Sequence, residues 1–401
     1  MKEAATKMKS LKNDVSGGFQ SDCFLNAPDT LFELFSIVSQ NWLTHGKVTR
    51  SVLVCAFIPL IKSTLKDPTS SESYRAIASS SLVLQLFERC LLLLWGDCLT
   101  TDGLQFGFKK GCGTTTATWL VNEVLQHYIS QGSKPIAIVL DCSKAFDLAR
   151  FDILFTHLLE RIPAIIVRAL IICYKEQLAW VRWGRNVTSG TFGIKNGTRQ
   201  GSLASPTIWN LYLDPLLKEL REMGIGCHVA GLFAGVVAYA DDLVLLAPSR
   251  GAAQKMLSVC EAFAQANNIR FSTNVDPQKS KSKAMLVTGQ KQKSCDALPL
   301  VLCGEKLPWV DRCVHLGHIL TSSGSMEDDC LQKRADFIDS AVKIKESFSF
   351  AHPKEVLDAV QKYCTSFHGS NLYDLRGSTC QIVLYCIVIK QNNSKKIYWV
   401  V

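Results

Sequence analysis

The sequence predicts an α+β protein centred on a ferredoxin-like sheet, and three observations predict it. From Pro135 onward, short β-type runs alternate with amphipathic helices, the pattern of a mixed sheet backed by helices. In order from Ile136 the elements read strand, helices, strand, strand, helix, strand, a split β-α-β arrangement with an extra helix and hairpin inserted. The 401 residues are 47% apolar and 20% charged, so a sizeable core is available, and the length suits two or three lobes of roughly 100–200 residues.

Each element has a local cause. Residues 1–48 read as a flank with one helix, Thr30–Leu43, whose apolar Leu31, Leu34, Phe35, Val38 and Leu43 recur at three- and four-residue steps. A first lobe follows: an apolar strand Val52–Ile61, a polar loop Lys62–Ser73, and a helix Ser81–Leu94 apolar enough for deep burial. Ile136–Leu140 is a buried strand ending on Asp141, with the helix Asp152–Arg161 behind it. Leu178–Trp183 and Val187–Ile194 flank Gly184-Arg185-Asn186, a hairpin signal. Ser205 as N-cap and Pro206 at the first helical position open a helix carrying Ile208, Leu211, Leu216, Leu217 and Leu220. Gly235–Ala240 and Leu243–Ala247 are joined through Asp241-Asp242 at a tight turn. Ser249 caps a helix that buries Met256, Leu257, Cys260 and Phe263 and stops at Asn267-Asn268, and Lys283–Thr288 is the last strand of this set. Beyond Pro308 come a short strand pair and two helices, Met326–Phe348 and Lys354–Ser366, the first with Glu327, Asp328 and Asp329 in its opening turn.

Composition narrows the functional classes. The 44 Lys+Arg against 35 Asp+Glu give +9, compatible with a polyanionic partner but too mild to name one. Sixteen cysteines, none at C-x-x-C spacing and with no secretory signal ahead of them, read as reduced thiols of an intracellular protein. Cys303, Cys313, His315 and His318 are zinc-type ligands, but their spacing matches no compact finger. The longest late apolar run, Ile382–Ile389, is far short of the roughly 20 residues a membrane span needs. No membrane anchor and no internal repeat is visible.

The chemistry rests on carboxylates. A buried strand ending on an acid, and an apolar hairpin with two adjacent acids at its tip, place charge where packing does not require it, which is costly without a partner. The inexpensive partner is a divalent cation: oxygen-only ligands suit Mg²⁺, and two ions roughly 3.5–4 Å apart can activate a 3′-hydroxyl and stabilise leaving pyrophosphate. The plain alternative is that Asp241-Asp242 is an ordinary turn, since Asp is common there.

The surrounding residues carry a resemblance. Ile138-Val139-Leu140-Asp141-Cys142-Ser143-Lys144-Ala145-Phe146-Asp147 resembles the first palm motif of reverse transcriptases, and Ala238-Tyr239-Ala240-Asp241-Asp242-Leu243 resembles their Tyr-Ala-Asp-Asp box. Between them, Asn196-Gly197-Thr198-Arg199-Gln200-Gly201-Ser202-Leu203-Ala204-Ser205-Pro206 is similar to the Arg/Lys-Gln-Gly…Ser-Pro motif. Ile58–Lys62 and Tyr74–Ile77 resemble the two fingers motifs, and Gln105–Phe108 the segment before the palm. Phe271–Asn274 through Lys279–Lys281, and His315-Leu316-Gly317, resemble later palm and primer-grip elements. The set is most similar to the polymerases of non-LTR (LINE-type) retrotransposons and covers about Asn41 to Ser366.

That resemblance implies a right-hand polymerase: fingers at 49–134, a ferredoxin-like palm at 135–290, a primer-grip region at 291–325, a helical thumb-like segment at 326–367 and a poorly ordered tail at 368–401. It implies RNA-directed DNA synthesis from an RNA template, a DNA primer and dNTPs with two Mg²⁺ ions, Mn²⁺ being an alternative. It names no protein partner. It implies that Asp141 and Asp241 bind the metals, with Asp242 completing the set, and that Lys279, or alternatively Lys281, protonates the leaving pyrophosphate. A basic patch of Lys279, Lys281, Lys283, Lys291 and Lys293 touching phosphates is the competing reading of these lysines. Lys62 and Arg75 would neutralise the triphosphate, or stand as solvated charges. Gln200 and Gly201 would approach the incoming nucleotide, where a plain turn before a helix is the alternative. Phe146 falls where the family places an aromatic gate against a 2′-hydroxyl, with core packing as the bland reading. It also argues against an RNA-synthesising polymerase.

Two residues depart from the pattern: Ala76 replaces the proline usual after Tyr-Arg, and Ser202 stands where glycine is commoner. The family's endonuclease, normally ahead of the polymerase, does not fit before the fingers here. The reading is therefore of a fragment or decayed copy of a retroelement frame whose catalytic acids survive, with a catalytically inactive nucleic-acid-binding relic as the rival.

Overall fold

A computed structural model describes residues 1–63, 67–184, 187–199, 201–274, 276, 279–289 and 298–364. Arg185, Asn186, Gln200, Lys291, Lys293 and the 368–401 tail lie outside the described residues. The protein is α+β, as expected.

Along the chain, α1 (Asp29–His45) starts after Pro28 and stops at Gly46, whose left-handed φ of 61° lets its N–H reach the Trp42 carbonyl. Strand β1 (Val54–Ile61) pairs antiparallel with β2 (Tyr74–Ser80), with Ile61 opposite Tyr74. Helix α2 (Leu82–Trp95) is capped by the Ser81 hydroxyl, which accepts from the Leu84 N–H at 3.2 Å. Next come α3 (Thr114–Ser130), β3 (Ile136–Asp141), the single turn α4 (Ala145–Leu148), α5 (Phe151–Leu159), α6 (Ala164–Lys175) and β4 (Leu178–Trp183). The expected strand Val187–Ile194 is two short pieces instead, β5 (Val187–Thr188) and β6 (Phe192–Gly193). Ser189 separates them: its N–H donates to the Val181 carbonyl and its hydroxyl accepts from the Val181 N–H, bending the chain out of line.

Helix α7 (Ser205–Met223) begins where expected, yet the Ser205 hydroxyl makes no capping bond, and the helix counts Ser205 as its first residue. Pro215 inside it has no N–H for the carbonyl of Leu211, and the His157 ring takes that carbonyl as its hydrogen-bond partner. Strands β7 (Val236–Tyr239) and β8 (Asp242–Ala247) form the acidic hairpin; its turn is Ala240-Asp241, so Asp242 opens a strand rather than sharing the bend. Helix α8 (Arg250–Ala266) is capped by Ser249, whose hydroxyl accepts from the Ala252 N–H. Beyond it lie β9 (Lys283–Leu286), the hairpin β10 (Arg312–His315) and β11 (His318–Thr321), then α9 (Glu327–Ser347) and α10 (Pro353–Tyr363). Leu316 and Gly317, both at positive φ, make the two-residue turn of that hairpin. Helices α9 and α10 share a small core of Cys330, Phe337, Ala341, Val360 and Cys364.

By internal contacts the chain divides into two compact units. One comprises 1–108, 142–219 and 259–271, the other 109–141, 220–258 and 272–401. Both are assembled from alternating segments of the chain. The first unit contains the sheet β2-β1-β4-β5, with β6 also on β4. Its β1–β4 pairing is parallel and ends at Phe57, which leaves Pro59 without a neighbour on that side and makes it tolerable in the strand. The second unit contains the four-stranded sheet β9-β3-β8-β7, antiparallel throughout. Counted by chain position, its strands lie in the order fourth, first, third, second, which is the split β-α-β order expected. Five of the six β8 residues and all of β3 except Asp141 are apolar and buried, so this sheet is a rigid platform with its acids at one end.

Candidate active site

The acids are brought together by register. Asp141 closes β3 and Asp242 opens β8, and the two are direct partners in the antiparallel ladder. Residues so opposed share a face, with Cβ atoms about 4.5–5.5 Å apart. Asp241 is the second residue of the hairpin turn, and Ala240, the first, holds φ at 57°. A non-glycine residue there costs about 1 kcal/mol, and strain of this kind concentrates at functional sites.

On the other side of β3, Lys283 pairs with Val139. Continued by two residues, the same register sets Ser282 beside Leu140 and Lys281 beside Asp141. The side chains agree: Lys281 Nζ lies 3.2 Å from Asp141 Oδ2, and the Ser282 hydroxyl accepts from the Asp141 N–H at 3.2 Å. The Asp141 carbonyl accepts from Ser272 N–H at 2.8 Å. The result is a row across three strands: Lys281, Asp141, Asp242. Lys279 is placed elsewhere, largely exposed and 3.5 Å from Asp276. Lys279 sits on a turn whose N–H groups at Lys279 and Ser280 both donate to the Asp276 carbonyl, while Lys281, two residues on, stands at the acids.

The electrostatics are lopsided. Asp242 is pushed up to about 6, first by burial and then by the charges of Asp241 and Asp141, against the pull of Lys281. One exposed lysine therefore faces three carboxylates. Among the described residues no three His, Cys, Asp or Glu side chains close into a group that could hold a metal ion, so the expected metal set is not drawn together. The donors are nonetheless hard oxygens of one sign on a shared face, the set that Mg²⁺ takes. The zinc-type residues do not converge: Cys303 is exposed, Cys313 and His315 are buried, and His318 Nδ1 bonds Asp329 at 2.9 Å.

The nucleotide-side candidates lie in the first unit. Lys62 is exposed and donates to the Glu72 carbonyl at 2.8 Å, while Lys144 pairs with the Glu72 carboxylate at 2.8 Å. Partial burial raises the Asp147 carboxyl against the pull of Lys144 and Lys62. Sequence reasoning passed over Lys144; its place in the first palm-like motif was the available signal. Arg75 is exposed on β2 opposite Leu60. Phe146 is half-buried with its ring 5.5 Å from that of Trp209, so it packs on one side. Gly201 holds φ at 107°, and a Cβ there would meet the Ala78 carbonyl at 2.7 Å, so glycine is required. Also passed over was a buried group around this turn, Glu88, Arg199 and Ser202, because no local pattern links Glu88 to a residue 111 positions away.

Comparison with known proteins shows the family. Residues 64–320 match the family model described as reverse transcriptase (RNA-dependent DNA polymerase), and the chain belongs to that family. A Pol polyprotein of a type-1 R2 retrotransposable element from Nasonia vitripennis is 24% identical over 302 residues, 72% of this chain and 27% of the relative. One from the type-2 element R2DM of Drosophila melanogaster is 26% identical, covering 63% of this chain and 23% of the relative. A probable RNA-directed DNA polymerase from transposon BS of the same fly is 27% identical, covering 70% and 31%. These relatives make it a domain of the non-LTR retrotransposon type. The chain spans about a quarter of the length of the curated relatives it matches.

Proposed function

We propose that this chain is the polymerase part of a non-LTR retrotransposon reverse transcriptase, extending a primer 3′-hydroxyl with dNTPs on an RNA template. The observation that carries the reading is the row of Asp141 and Asp242 on one face with Asp241 at the adjoining turn. In this reading the right-hand arrangement applies: fingers at 49–134, palm at 135–290, primer-grip region at 291–325 and a helical thumb at 326–367.

Asp141, Asp241 and Asp242 would hold two Mg²⁺ ions, or Mn²⁺ in their place. When bound, the cations supply the charge neutralisation and hydroxyl activation of in-line phosphoryl transfer. The chain's own residues do the rest. Asp141 and Asp242 keep a fixed separation because their strands are locked by the ladder. Lys281, already beside Asp141, is better placed than Lys279 to give a proton to leaving pyrophosphate. Lys62 and Arg75 neutralise the triphosphate, Gln200 and Gly201 meet the nucleotide, and Phe146 excludes a 2′-hydroxyl. No described helix is long and apolar enough to cross a membrane. A reducing, intracellular setting suits the free thiols of the described chain.

Primer extension on an RNA template with Mg²⁺ and dNTPs tests the reading, with Asp241→Ala as control. Extension by the wild-type chain that the variant lacks supports it. Retention of template–primer without any extension would replace it with a silent nucleic-acid-binding relic, and equal use of ribonucleotides would overturn the DNA assignment.

A further inference from the structure

The turn that carries Gly201 is hung from one carboxylate. Ser202 N–H donates to the Arg199 carbonyl at 2.9 Å, and Gly201, just before Ser202, holds a positive φ of 107° that favours glycine. Both flanking side chains reach Glu88 on α2: Arg199 Nη2 is 2.5 Å from Oε1, and the Ser202 hydroxyl donates to Oε2 at 2.6 Å. Arg199 and Glu88 are each 1% exposed, and the guanidinium lies 4.4 Å above the Tyr174 ring. The turn is pressed onto β2, its Gly201 facing the Ala78 carbonyl and the Ile77 side chain. By strand alternation Arg75 projects from the same face as Ile77.

A buried ion pair is a poor device for stability, since apolar residues of equal volume serve as well or better. What this one does that a Leu–Met pair cannot is fix two points of one turn against one helix. We propose that Glu88 is a positioning residue for the nucleotide-contacting turn, holding Arg199 and Ser202 together so that the Gly201 backbone stands at a set height over β2. This rests on the reading that Gly201 meets the incoming nucleotide.

The test is steady-state primer extension with the dNTP KM and kcat separated, on Glu88→Gln, Ser202→Ala, Ser202→Thr and Gly201→Ala. Ser202→Ala and Glu88→Gln should each raise the dNTP KM about five- to tenfold with kcat within about twofold and the template–primer KM unmoved, and Ser202→Thr should restore it. A change in melting temperature alone, with the dNTP KM unmoved in folded Ser202→Ala while Gly201→Ala raises it, overturns the proposal. If Gly201→Ala itself leaves the dNTP KM unmoved, the reading of the turn as a nucleotide contact fails, and the positioning role falls with it. Should Glu88→Gln not fold, Glu88→Leu combined with Arg199→Met removes both charges at once; a folded double variant with a normal dNTP KM overturns the proposal equally.

Discussion

Glu88 and Asp242 are both acids taken out of water, and the chain treats them in opposite ways. Glu88 is fully buried and has each of its oxygens engaged, one by a guanidinium and one by a hydroxyl. Asp242 is only partly buried, yet burial and the charges of Asp241 and Asp141 outweigh the pull of Lys281 and raise it to about 6. Where a buried charge is matched from within the chain it holds structure. Where like charges outnumber the one lysine set beside them, the folded state bears a cost that a ligand of opposite sign would remove.

The largest expected effect breaks the unmatched side. Asp241→Ala or Asp242→Asn should cut primer extension by about 10²–10³-fold or more, the loss expected when charge stabilisation of a transition state is removed. Stability should move the other way. Without cations, Asp242→Asn relieves repulsion and should raise stability by about 1–2 kcal/mol after allowance for solvent screening. Thermal melting beside the extension assay checks both, and a destabilised Asp242→Asn would contradict the picture of net repulsion at Asp242.

The matched side should respond as structure. Arg199→Ala leaves Glu88 buried without its guanidinium partner and should cost about 3–5 kcal/mol, a drop in melting temperature of roughly 4–6 °C for a chain of this size. Denaturant titration at neutral pH measures it. An Arg199→Ala variant as stable as the wild type would mean that the pair carries no charge in the folded chain.

Between these lies a contrast of two lysines that the sequence alone could not rank. Lys281→Ala should lower the extension rate by about 10²-fold if it serves as the acid, whereas Lys279→Ala should stay within about twofold. Single-turnover extension separates the chemical step from binding, and equal effects of the two variants would favour the plain basic-patch reading.

These cases show what the chain's local patterns could reveal. The strand ending on Asp141, the hairpin around Asp241, and the Ser249 cap were legible because each is written in a few adjacent residues. The strand Tyr74–Ser80 was missed because its alanines and serines carry little β signal and it is held by pairing with β1. Helix Thr114–Ser130 opens on three threonines, which blurs its start, and Ala164–Lys175 is apolar on too many sides to show a stripe. The choice of Lys281 depends on a ladder register with Val139, and the partner of Arg199 on a helix far back in the chain. Neither leaves a local mark, since both are decided by which elements pack.

The smallest effect concerns a second matched and unmatched pair, the histidines that face each other across the β10–β11 hairpin. His318 bonds Asp329, while His315 is 2% exposed, its Nε2 has no partner, and burial with the nearby His318 lowers it to about 4. The neutral ring is thus the folded form. As pH falls below 6.5 the unfolded chain takes up a proton that the folded chain refuses until about 4, so stability is complete above 6.5 and declines through that window. The loss should reach roughly 2 kcal/mol by pH 5. Denaturant midpoints across pH 4–7 should show it in the wild type, and His315→Phe should flatten that slope. A slope unchanged in His315→Phe would assign the acid sensitivity to other groups and leave His315 as a packed ring with no charge to refuse.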